Sequence, residues 1–166
     1  MTAIEIFGRM SAPQASEILN WIHENDRHAY RSCAGMLATR RKLRPVFVER
    51  KPREERNLWM RDALLRPSNA DLALEILQVW VLGKNERMVC DFLDALKIEH
   101  DGKGLIDELP AEPAANKVSA AVEAILSKYP PSEVSIYLNL FAGMDESSWP
   151  HLKNLLSTHS AFSAEV

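Results

Sequence analysis

The chain has 166 residues, 46% of them apolar and 26% charged, a balance that suits one domain with a sizeable core and excludes a disordered or fibrous polypeptide. Its net charge of −3 conceals a sorting: from Arg27 to Arg61 eleven Lys or Arg stand against three Glu, a local charge of +8, and from Pro67 onward seven Lys or Arg stand against fifteen Asp or Glu, a charge of −8. Segregated charge speaks to partners through the field it makes, and not to reaction chemistry.

Met1–Met10 carries Glu5 and Arg9, so no secretory signal is expected there. Ser11-Ala-Pro-Gln14 unites a capping Ser, an early Pro and Gln at the capping-box position, so a helix should open there. Ala15, Ile18, Leu19 and Ile22 would form its buried stripe. Tyr30, Cys33, Ala34 and Leu37 at helical spacing predict a second helix, ending near Leu43 because Pro45 disfavours helical geometry in Arg44. Val46-Phe47-Val48 fits either a short extended piece or a helical turn. A third helix is predicted from about Arg53 to Leu65, stopped by Pro67. Ser68 is the expected cap of the next, whose Leu72–Leu82 stretch is apolar nearly all round except for Asp71, Glu75 and Gln78, the pattern of a central helix.

After a break at Gly83-Lys84-Asn85 comes a helix burying Val89, Phe92, Leu93 and Leu96, then one long connection, His100 to Pro113. Two further helices carry Val118, Val122, Ile125 and Leu126, and Val134, Tyr137, Leu138 and Phe141, parted by Pro130-Pro131. Ser147 or Ser148 with Pro150 should open a last short helix, followed by a loose tail after Thr158. The reading is one all-α domain, 1–166, of seven to eight helices in antiparallel hairpins: basic helices over about 11–66, acidic hairpins over about 68–157, a flexible tail over 158–166. A shift of 45 residues aligns Leu77, Trp80, Val81, Val89, Phe92, Leu93 and Leu96 with Val122, Ile125, Leu126, Val134, Tyr137, Leu138 and Phe141. That echo fits a short solenoid-like stack of two-helix repeats, and equally any two helix hairpins.

No motif for chemistry survives its spacing test. His23-Glu24 with His28 fails as a zinc helix, because histidines five residues apart lie about 140° apart around a helix rather than about 40°. His100-Asp101-Gly-Lys-Gly104 resembles the His-Asp dyad of the HD phosphohydrolase family, a resemblance that implies an all-helical metal-dependent hydrolase. The apolar residue usual after that dyad is missing, and no histidine lies between His28 and His100 to complete the metal ligands. The expected cause of the segment is instead helix termination at Gly102. Gly102-Lys103-Gly104 lacks the pattern of a phosphate loop, and Lys103 stands where a calcium loop needs an oxygen. Cys33 and Cys90, in no paired motif, fit structural thiols in a reducing compartment. No enzyme activity, cofactor or metal is expected; a helical metal-dependent hydrolase drawing on His23, His28, His100 and Asp101 is the second alternative, after a nucleic-acid-binding protein using the Arg40–Arg56 segment.

That leaves the basic segment. Arg40, Arg41, Lys42 and Arg44, then Arg50, Lys51, Arg53 and Arg56, form the candidate binding surface of an interaction or adaptor module. Such density repels itself, so something anionic should offset it: the acidic half, a second copy, an acidic protein, or nucleic acid with Phe47 stacked on a base. The overall pI of about 6.0 disfavours nucleic acid. No stretch approaches the roughly 18 apolar residues of a membrane span, so a cytoplasmic protein with no membrane partner is expected.

Overall fold

The computed structural model describes residues 1–145 and 148–162. Among them are ten α-helices, two 3₁₀ turns and no strand, so the chain is all-α. The helices are α1 (Ala3–Arg9), α2 (Ala12–Asn25), α3 (Arg27–Arg40), α4 (Pro45–Glu49), α5 (Arg53–Leu64), α6 (Ala70–Lys84), α7 (Glu86–Leu96), α8 (Ala115–Leu126), α9 (Pro131–Ala142) and α10 (Pro150–Thr158). Seven to eight is therefore an undercount. The additions are α1, which buries Ala3, Ile6 and Phe7 in a segment too short for a clear period, and α4, the turn left open between two geometries.

Local chemistry accounts for most boundaries. At α2 the predicted capping box forms: Ser11 N–H donates to Gln14 Oε1 at 2.8 Å, and Gln14 N–H donates to Ser11 Oγ at 3.4 Å. Four boundaries differ from expectation, the first being the end of α3, at Arg40 rather than near Leu43. Pro67–Asn69 forms a 3₁₀ turn, so Ser68 lies inside a turn and does not cap α6. Helix α7 stops at Lys97, which takes the left-handed conformation with φ 59°, five residues before Gly102. Trp149, also left-handed at φ 53°, precedes α10 in place of a capping serine; Ser147 lies outside the described residues. Past Thr158, where a loose tail is expected, Ser160–Phe162 turns and buries Phe162.

The chain divides into two compact units, Ala3–Trp80 and Val81–Val166 with Met1–Thr2, the division falling within α6. In the first, α2 packs on α3 and α5, α3 on α4 and α5, and α1 on α5. The predicted stripe of α2 is buried throughout, and Ile18, Leu19 and Ile22 are almost fully enclosed, each burial contributing about 1.5–3 kcal/mol. Asn57 of α5 is fully buried where these helices meet. It accepts from Tyr30 Oη at 2.7 Å and donates through Nδ2 to Asn20 Oδ1 at 2.9 Å. In α6, Leu72, Ala73, Ile76 and Leu77 are buried while Leu74 is exposed, so its wet face is wider than the polar residues alone suggest.

In the second unit α7 packs on α8, and α8, α9 and α10 pack on one another. Edge-to-face rings knit its core: Phe92 with Tyr137 and Phe141, and Phe141 with Trp149 at 4.9 Å. Trp149 Nε1 donates to the Pro110 carbonyl at 2.9 Å, and the Glu112 carboxylate accepts from His151 and Leu152 N–H at 3.1 and 2.8 Å. A loop glutamate thus satisfies the start of α10, where a helix carries partial positive charge. The 45-residue echo holds in burial, with Leu126 only half-buried. The likeness stops there, since one residue, Asn85, joins α6 to α7, whereas Ser127–Pro130 joins α8 to α9.

Candidate basic and apolar interface

The basic segment is shaped by how α3 ends. Lys42 adopts φ 57°, and Leu43 N–H donates back to the Ala38 carbonyl at 2.9 Å, the left-handed cap and wrap-around bond that close a helix. The chain leaves extended through Arg44, ψ 129°, and Pro45 takes the first position of α4. Proline thus both forbids helix in the residue before it and starts one itself. Of α4 only Val48 is buried. Phe47 is 58% exposed, and Leu43 and Val46 stand clear of the core beside it.

The eight predicted binding cations have different fates. Arg40 is committed: its guanidinium grips Asp71 bidentately at 2.7 and 2.6 Å and donates to the Ser68 carbonyl at 2.8 Å. Beside it the Asp71 carboxyl is held down to about 2. Arg53 pairs with Glu24 at 3.0 Å, and Lys51 lies 3.9 Å from Glu55. Arg56 lies over the Tyr30 ring and donates to the Glu49 carbonyl at 3.3 Å. Arg41 stacks over the Trp59 ring at 5.7 Å, a contact that orients its charge without cancelling it. Among the described residues Arg41, Lys42, Arg44 and Arg50 form no ion pair.

Eight candidates therefore reduce to four uncompensated cations within ten residues of chain, interleaved with Leu43, Val46 and Phe47. Charge counting locates the segment. It does not reveal which cations are spent, since Asp71 and Glu24 lie 31 and 29 residues from their partners. The sequence reading does not single out Leu43 and Val46 as surface residues, because the geometry of the chain at Val46-Phe47-Val48 is left open there.

His23, His100 and Asp101 are each used locally, while His28 is exposed on α3, apart from them in sequence and element. The His23 ring stands edge-on to Tyr30 at 4.8 Å; burial, with Arg27, Arg53 and Arg56 adding repulsion, lowers its proton affinity. Asp101 caps its own loop, accepting from Lys103 and Leu105 N–H at 2.8 and 3.0 Å. His100 instead meets α7: Nε2 donates to Asp94 Oδ1 at 3.2 Å, and Nδ1 accepts from Gly102 N–H at 3.1 Å and faces Cys90 Sγ at 3.9 Å. The signal for this trio was the four-residue spacing of Cys90 and Asp94, which puts both on one face of α7. It has the order of a thiol, a base and an orienting carboxylate, yet its electrostatics oppose that use. Burial raises the Cys90 thiol, and Glu86, Asp94, Asp101 and Asp91 raise it further, whereas a nucleophilic cysteine needs positive surroundings. Burial likewise pushes the Cys33 thiol up to about 12.

No group of three or more His, Cys, Asp or Glu among the described residues is placed to hold a metal ion. Among them, too, no helix is long and apolar enough to cross a membrane. No protein-family model, no curated protein and no solved structure matches this chain.

Proposed function

We propose that this protein is an interaction module whose recognition surface is the corner formed by the end of α3, helix α4 and the start of α5, and whose partner is an acidic protein surface bearing apolar side chains. The observation that carries the reading is the interleaving of Arg41, Lys42, Arg44 and Arg50, free of ion pairs among the described residues, with exposed Leu43, Val46 and Phe47. Exposed apolar groups rimmed by charge mark interaction surfaces. The charge steers and orients the encounter, and apolar burial holds it.

An acidic protein is favoured over nucleic acid because Leu43 and Val46 are aliphatic. They cannot stack on bases, so a nucleic acid would use Phe47 alone. The test is binding of a short synthetic peptide alternating acidic and apolar side chains, beside a generic oligonucleotide. The peptide should bind the wild type at least tenfold more tightly than R44E/R50E/F47S. Equal binding to both refutes the surface. Steeply salt-dependent oligonucleotide binding with none to the peptide refutes the partner class.

A further inference from the structure

The long connection between α7 and α8 carries a surface of the opposite kind. Glu99, Asp101, Asp107 and Glu108 are exposed there around Leu105, which is 55% exposed. Among the described residues none of the four carboxylates forms an ion pair. The loop is nonetheless held in shape. Asp101 accepts from two of its own backbone N–H groups, His100 anchors it to α7, and Gly104 at φ 89° runs so close to Val89 that a side chain would collide.

We propose that the partner of the basic surface is this acidic loop on a second copy of the chain. The inference rests on the proposed function and names its occupant. The two surfaces match in kind: four cations in no ion pair around exposed Leu43, Val46 and Phe47, against four carboxylates in no ion pair, with Lys103 among them, around exposed Leu105. Each loses unfavourable like-charge proximity on pairing, and each covers apolar side chains that water now touches. The contact joins two different surfaces: repeated head to tail it builds a ring or an open run, and made reciprocally between two copies it closes a two-fold dimer. Two surfaces of this extent give a weak contact, sensitive to concentration and salt.

The experiment is sedimentation of purified wild type, R44E/R50E and D107K/E108K, each checked for helical content by circular dichroism. Wild type should associate progressively between about 1 μM and 1 mM at low salt, and dissociate near 1 M salt, where the screening length is about 3 Å. Each variant alone should self-associate at least tenfold more weakly. Mixed in equal amounts, the two variants should form a one-to-one complex, because R44E/R50E keeps the acidic loop and D107K/E108K keeps the basic surface. A wild type that stays monomeric throughout overturns the proposal, as does wild-type association that the mixed variants fail to reproduce. If the synthetic acidic peptide still discriminates wild type from R44E/R50E/F47S, only the second-copy assignment falls; if it does not, the interaction surface falls with it.

Discussion

Replacing Asn57 by Ala should cost more than any other single polar substitution in the Ala3–Trp80 unit. The Asn57 amide is fully buried and bridges three helices, accepting from Tyr30 of α3 and donating to Asn20 of α2. Asn20 is half-buried and can turn to water, but Tyr30 is enclosed and its hydroxyl would lose its acceptor. A lost buried hydrogen bond costs about 1 kcal/mol and an orphaned buried hydroxyl about 1–3 kcal/mol more, so N57A should lose about 2–4 kcal/mol. For a chain of this size that corresponds to a fall in Tm of about 5–15 °C.

The companion Y30F strands the Asn57 carbonyl instead, while N57A/Y30F removes both partners. The double variant should therefore lose at least about 1 kcal/mol less than the sum of the singles. Urea unfolding at equilibrium, followed by circular dichroism, measures all three. Strict additivity, or a loss for N57A well under 1 kcal/mol, would refute the network as the pin that holds α5 on α2 and α3. The pin matters for function, because α5 carries Trp59, the ring over which Arg41 rests.

The Arg40–Asp71 pair predicts an acid-side signature. The folded Asp71 carboxyl sits at about 2 against an ordinary 3.8, so the unfolded chain binds the proton first. Its contribution is fully present above about pH 4 and is lost as pH falls toward 2; D71N should flatten the fall in wild-type stability across that window, and a parallel fall would contradict the pairing. The two left-handed loop glycines should separate cleanly in a melting experiment. G102A meets open space at φ 84° and should cost about 1 kcal/mol of backbone strain. G104A, whose new Cβ would lie 2.4 Å from Val89 Cγ1, should cost about 3 kcal/mol or more. Equal losses would mean that the loop does not lie against α7 as described.

What could be read in the sequence was whatever depends on neighbours along the chain. The capping box at Ser11, the buried stripe of α2 and the apolar faces of α7, α8 and α9 need only local spacing, and they formed where expected. Helix ends that rely on left-handed lysine and tryptophan at Lys42, Lys97 and Trp149 were not legible, because those residue types carry no preference for that conformation. The cap of α10 was hidden for another reason: its acceptor, Glu112, comes from a loop some 39 residues earlier. The basic segment stood out by composition. Its division into spent and free cations did not, because side chains distant in sequence decide it.

The central claim is that recognition happens at α4 and the ends of its neighbours. Hydrogen exchange of the full chain, with and without a saturating acidic and apolar peptide, tests it most directly. Slowed exchange confined to residues 41–51 is the predicted result. Protection centred elsewhere, or none while the peptide is bound, would contradict it.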